Sequence, residues 1–141
     1  MLMKLPMGLL AGLRVRHLDE EKTITSVPYK NLNKNPFRSI YFAVQSMAAE
    51  LSTACACQLA IEGISPSVAF IVVDIKGEFS KKANGRVYYT CEDNPKAFEA
   101  VDKCLRNGEA QTATFKTTGK MKNGTEVAVF HVTWSFKQRS A

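Results

Sequence analysis

Residues 39–61, SIYFAVQSMAAELSTACACQLAI, decide the fold. Ala, Met, Leu and Gln dominate the stretch, and no Gly or Pro interrupts it before Gly63. The composition predicts a helix from about Ser39 to Ile61, with Asn35 or Ser39 able to cap its start and Gly63 where a stop is expected. Ile40, Phe42, Val44, Met47, Ala48, Leu51, Ala54, Cys55 and Leu59 cover nearly its whole circumference. A helix apolar all round is enclosed by the rest of the chain rather than laid on its surface.

The flanks supply the enclosure. Gly12–Leu18 (GLRVRHL) alternates apolar and basic residues, the pattern of a half-buried strand, and Lys22–Tyr29 (KTITSVPY) resumes the alternation after an acidic turn. Pro28 suits an edge or a strand end. Beyond the helix, Ser67–Phe79 contains AFIVVDI, too continuous for one wet face and so expected to be buried on both. Gly85–Cys91 (GRVYYTC) is a further strand, and Pro95–Asn107 (PKAFEAVDKCLRN) a short amphipathic helix ended by Gly108. Glu109–Met121 and Thr125–Lys137 read as a hairpin closed by Asn123-Gly124. In its second arm Ala128, Phe130, Val132, Trp134 and Phe136 share one face, with Val129, His131 and Thr133 on the other. One enclosed helix and about six antiparallel strands make an α+β fold, a curved sheet wrapped around a long central helix.

The chain has 141 residues, 45% of them apolar and 23% charged, which suits one domain over residues 1–141. Lys and Arg number 19 against 13 Asp and Glu, a net charge of +6. Residues 22–61 carry four bases and one acid, and residues 109–141 five bases and two acids; the remainder balances. A surplus of that kind either favours an anionic partner or is an ordinary basic surface. Nucleic acid is disfavoured, because the bases are scattered and neither an Arg-rich run nor an RNP-like or helix-turn-helix pattern occurs.

Cys55 and Cys57 lie two apart on the predicted helix, about 200° around it, and cannot share a metal. With no Cys-x-x-Cys pair and no Cys/His ligand spacing, no metal site is expected and the four cysteines read as reduced core thiols of a cytoplasmic protein. The apolar N-terminus is interrupted by Pro6 and Gly8 and lacks a small-x-small cleavage pattern, which disfavours export. No apolar segment reaches the roughly 20 residues that span a bilayer.

Glu50 does not fit its surroundings. It is the sole acid between Glu21 and Glu62 and stands mid-helix in Met47-Ala48-Ala49-Glu50-Leu51-Ser52. A buried carboxylate costs several kcal/mol unless hydrogen-bonded, paired or neutralised. Either it faces solvent on a narrow stripe with Ser46 and Thr53 or pairs with a base such as Arg38, or it is a general base or nucleophile in a dry pocket at a subunit junction.

Residues 35–50, NPFRSIYFAVQSMAAE, resemble the motif of hotdog-fold acyl-CoA thioesterases, and are most similar to a branch with NPF-x-SIYFA in place of a glycine-rich turn. The resemblance matches Asn35 to the family's Asn, Ser39 to its Thr, Ile40 to its aliphatic position and Glu50 to its catalytic acid. The segment Glu78–Gly85 is similar to the family's Phe-basic-Gly stretch after a strand. Arg38, Phe42 and Ala43 depart from the family's glycines, and Tyr41 from its His. What the resemblance implies is hydrolysis of acyl-CoA or a related acyl thioester. Glu50 would activate water or attack the carbonyl, the backbone N–H of Phe42 would hold the oxyanion, and Asn35 would position water or the carboxylate.

Ser39, Tyr41 and Met47 would line the substrate site, and Lys34, Arg38, Lys81, Lys82 and Arg86 would receive nucleotide phosphates. CoA would enter as part of the substrate, with no other cofactor. Long antiparallel edge strands seek partners, so a homodimer formed by sheet continuation, or a tetramer, is expected. The resemblance implies a crossing connection after the long helix, where Asn84-Gly85 read locally suggests a hairpin. A non-catalytic acyl or lipid binder on the same fold, with Phe42, Tyr41 and Met47 filling the pocket, is the alternative. A hydratase is disfavoured because His17 and His131 both fall outside the Glu50 region.

Overall fold

The computed structural model describes residues 5–139. In chain order it contains α1 (Pro6–Ala11), β1 (Arg14–Leu18), β2 (Thr23–Val27), α2 (Phe42–Ile61), β3 (Val68–Phe79), β4 (Val87–Cys91), α3 (Asn94–Asn107), β5 (Gln111–Met121) and β6 (Glu126–Gln138). The strands form one antiparallel sheet in the order β1-β2-β4-β5-β6-β3. The expected crossing connection is present: β3 leaves α2 for the far edge, beside β6, and β4 returns to lie between β2 and β5.

α2 is the core. Eleven of its twenty residues are buried, from Gln45 to Ala60, and small side chains (Ala48, Ala49, Ala54, Ala56) let strands approach it closely. It begins at Phe42 rather than Ser39, and neither Asn35 nor Ser39 caps it; Tyr41 is the N-cap and supplies no side-chain bond. The reason lies just upstream. Arg38 adopts a left-handed φ of 58°, Ile40 forms an isolated bridge with Lys34, and the Ile40 N–H bonds to the Ala83 carbonyl at 2.9 Å, so residues 38–40 are held extended by a neighbouring loop. Gly63, at φ 73°, does terminate the helix. β6 keeps the expected faces, with Ala128, Phe130, Val132, Trp134 and Phe136 all buried.

Three expectations are corrected. α1 forms where the apolar N-terminal run suggested no element; Gly8 and Ala11 face the core, and Gly12 at φ 83° ends the helix. β1 is not half-buried, since all five of its side chains are exposed and Leu13 just before it carries the packing. β3 is not buried on both faces either: every residue from Ile71 to Phe79 is exposed. Its pairing register with β6 places Val72 opposite Trp134, Ile75 opposite Val132 and Phe79 opposite Ala128, on the side that faces α2 elsewhere in the sheet. A bulge between Val72 and Asp74 keeps both apolar runs on that side. The strand reads as core because its inner face is apolar, but the helix of the same chain does not reach over it.

Gly119 shows how tight the enclosed region is. A Cβ there would stand 2.6 Å from two atoms of the buried Tyr89 ring. Gly119→Ala is therefore expected to lower stability by about 1–3 kcal/mol, read as a fall in urea midpoint. Gly85→Ala, whose nearest neighbour is the Met121 sulfur at 3.6 Å, should stay near wild type and serves as the control.

Candidate functional site

The motif that opens α2 builds a turn before it builds a helix. The Asn35 Oδ1 accepts from the N–H of Phe37 (2.9 Å) and of Ser39 (3.2 Å), and Pro36 pre-sets the turn. Asn35 therefore spends its carbonyl oxygen locally and can offer a substrate only its Nδ2 donor. The Ser39 hydroxyl accepts from the Ala83 N–H at 3.1 Å, and this bond with the Ile40–Ala83 bond ties the motif to Lys81-Lys82-Ala83. Together these elements form a groove of about 430 Å³ in which Asn35, Ser39 and Phe42 face Phe79, Lys81 and Lys82. The Phe42 N–H, at the first turn of α2, has no acceptor among the described residues, so this helix end has a free donor with the helix dipole behind it.

The remaining expected residues fall differently. Tyr41 is exposed, its ring edge-on to Phe42 at 4.9 Å. Arg38 is exposed and Arg86 half-buried, and neither lines the groove. The Lys34 ammonium lies 4.5 Å from the centre of the Tyr29 ring instead of facing the groove. Met47 lies with Glu50, away from the groove.

Glu50 is half-buried and separate from that groove. Eight residues along α2 from Phe42, it stands about 12 Å down the helix axis. It borders two other cavities. One, of about 260 Å³, lies between α1 and α2; the other, of about 390 Å³, is bounded by Ala54, Gln58, Glu62, Phe70 and Trp134. No base pairs with its carboxylate among the described residues. Ser46 and Thr53 do not form a wet stripe with it: the Ser46 hydroxyl donates to the Phe42 carbonyl, and Thr53 is buried, donating to the Glu50 carbonyl and accepting from the Trp134 indole N–H. Burial without a compensating charge pushes the Glu50 carboxyl above its ordinary value.

That shift has a sign for stability. The folded state holds the Glu50 proton more tightly than the unfolded chain does. The penalty of the ionised group is thus absent at low pH, grows as pH rises through the carboxylate range, and is complete above the raised folded-state pKa. Glu50→Gln is expected to raise the urea midpoint at pH 7.5 and to leave little difference from wild type at pH 4.

The other candidate nucleophiles are quiet. All four cysteines are buried, and burial pushes Cys55 and Cys91 up to about 11. His17 closes the β1–β2 turn against Asp19 at 2.6 Å, and His131 lies on the outer sheet face between Lys76 and Lys116 in register. Neither borders a Glu50 cavity. The described residues contain no cluster of three or more His, Cys, Asp or Glu able to hold a metal, and no helix long and apolar enough to cross a membrane.

Sequence reasoning missed Gln45. It is buried in the groove wall, accepting from the Tyr89 hydroxyl at 2.8 Å and donating to the Ile40 carbonyl at 3.3 Å, so it braces the turn that presents the Phe42 N–H. The signal was akin to the one that exposed Glu50, a long polar side chain inside a largely apolar helix.

The fold recurs in solved structures. A Pseudomonas aeruginosa protein of unknown function, described as a probable thioesterase, superposes with a TM-score of 0.83 at 17% identity over 96% of this chain and 89% of its own. The chain has the hotdog fold. A protein of unknown function from Chlorobaculum tepidum matches this hotdog chain at TM-score 0.82 and 14% identity, covering 96% of this chain and 88% of that one. A thioesterase from Haemophilus influenzae matches at 0.68 and 12%, over 94% and 82%. No protein-family model and no curated protein sequence matches the chain.

Proposed function

We propose that this hotdog protein is a thioesterase that hydrolyses acyl-CoA or a related acyl thioester, working as a homodimer. The observation that carries the proposal is Glu50: a carboxylate on the central helix with no ion-pair partner among the described residues, between two cavities, with its pKa raised. The thioesterase descriptions of structural neighbours agree with it.

In the reaction Glu50 takes a proton from water, whose oxygen forms the new bond to the acyl carbon. The carbonyl oxygen gains negative charge and is held by the Phe42 N–H at the helix N-terminus. The C–S bond then breaks, the thiolate leaves and takes up the proton, and a carboxylic acid remains. Lys81 and Lys82, on the rim of the Asn35 groove, suit the phosphates of the CoA tail.

Distance supports the homodimer. A carbonyl cannot lie within hydrogen-bond reach of two groups about 12 Å apart along one helix. Glu50 of one copy and the Phe42 N–H of another can meet at one carbonyl if two copies join along the uncovered inner face and free edge of β3. The alternative, an acyl binder without turnover, is favoured by one feature: the Phe42 side chain, 57% exposed, stands beside its own N–H, where the motif resemblance implies a glycine.

A panel of acyl-CoAs assayed for thiol release, with wild type and Glu50→Ala, tests the proposal. Turnover lost in the variant supports it. Binding without turnover in wild type selects the acyl binder.

A further inference from the structure

We infer that the chamber between α1 and α2 receives the acyl chain, and that it selects straight, uncharged chains of up to about eight carbons, with Leu5, Met7 and Met47 setting the limit. The inference rests on the thioesterase proposal for the identity of the head group, but not on turnover.

The two cavities that meet at Glu50 differ in character. The outer one holds a second carboxylate, Glu62, and the Gln58 amide. The chamber under α1 is walled by Leu5, Met7, Leu13, Met47 and Leu51, and among the described residues its one polar side chain is Glu50. Leu5 borders both cavities and stands as the partition between them. A chain entering beside Glu50 leaves its carbonyl at the carboxylate and its tail among the apolar walls. A hydroxyl or carboxyl farther along the tail would lose its water and find no partner there.

The volume sets the length. At about 260 Å³, and roughly 30 Å³ for each water-sized unit, the chamber holds about eight or nine heavy atoms. Met7 and Met47 are unbranched and adaptable, suited to a tail of variable length. The wall itself is anchored at one end: the Asn33 Nδ2 bonds the Ala11 carbonyl (2.8 Å) and the Pro28 carbonyl (3.0 Å), and the Lys30 ammonium bonds the Leu10 carbonyl (2.8 Å). These bonds tie the C-terminal end of α1 to the loop at residues 28–33, so that end of the wall stays in place as a tail enters.

The experiment uses straight-chain acyl-CoAs from two to sixteen carbons. In wild type, kcat/KM should rise about fourfold per added methylene up to about eight carbons and then fall. Met47→Trp should shift the optimum down by two to four carbons and lower the eight-to-two-carbon ratio at least about 15-fold; Met47→Phe, a smaller change, guards against a variant that fails to fold. Binding of the same series to Glu50→Gln by calorimetry supplies a readout independent of hydrolysis. Affinity that climbs with length to about eight carbons and is cut back by Met47→Trp supports the chamber even where no thiol is released, an outcome that would overturn the thioesterase proposal alone. An optimum at twelve carbons or more, a preference for 3-hydroxyacyl chains, or a profile unchanged by both Met47 variants overturns the chamber.

Discussion

Glu50→Ala is expected to lower acyl-CoA hydrolysis by about 10²–10⁴-fold, the range in which a positioned general base acts. The loss should fall on kcat, since Glu50 touches the reacting water rather than the CoA tail. Glu50→Gln should lose as much activity while gaining stability at neutral pH, because it removes an ionised group that has no partner among the described residues. A carboxylate that weakens the fold and carries the chemistry is the usual trade between stability and function. Wild-type turnover in either variant would remove Glu50 from the mechanism. The pH profile adds a second check: kcat/KM should rise with pH through a step above the ordinary carboxylate range, and the step should vanish in Glu50→Gln.

The second large effect concerns β3. Val72→Lys combined with Ile75→Lys is expected to give a folded monomer with hydrolysis reduced to background. Both side chains are already exposed within a single chain, 40% and 45%, so the substitutions cost the protomer little. Two like charges per copy on an apolar face would instead oppose its burial against a second copy. Hydrolysis should disappear with the dimer, because the Phe42 N–H and Glu50 of one chain lie too far apart to act on one carbonyl. Sedimentation gives the oligomeric state and thiol release the activity. A monomer with undiminished turnover would show that one chain suffices and would end the shared-site proposal.

Much of this molecule was legible in its residues because the signals were local. The run from Phe42 to Ile61 lacks helix breakers, Asn123-Gly124 favours a tight hairpin, and β6 alternates strictly, so each element formed close to where it was expected. Glu50 stood out because a charge inside an apolar helix is costly wherever the helix lies. Gln45 carried the same signal more faintly, since an uncharged amide is cheaper to bury.

The misreadings came where burial depends on a neighbour outside the segment. AFIVVDI is apolar enough for a strand covered on both faces, but nothing in seven residues says whether this chain's helix reaches over it, and it does not. The start of α2 moved to Phe42 because Ala83, more than forty residues away, captured the Ile40 N–H. Asn35, expected as a helix cap or a water-holding group, had its oxygen taken by two backbone N–H groups of its own turn.

The sequence by itself determined the elements and the odd carboxylate, since propensity, periodicity and the cost of a buried charge are properties of short stretches. Only the tertiary structure decided where those pieces meet. It set the motif's groove and Glu50 about 12 Å apart on one helix, seated an unforeseen α1 beside the carboxylate, and left the inner face of β3 bare. Each of these depends on packing between segments far apart in the chain, and packing is decided by shape and closure in three dimensions, which no local pattern encodes.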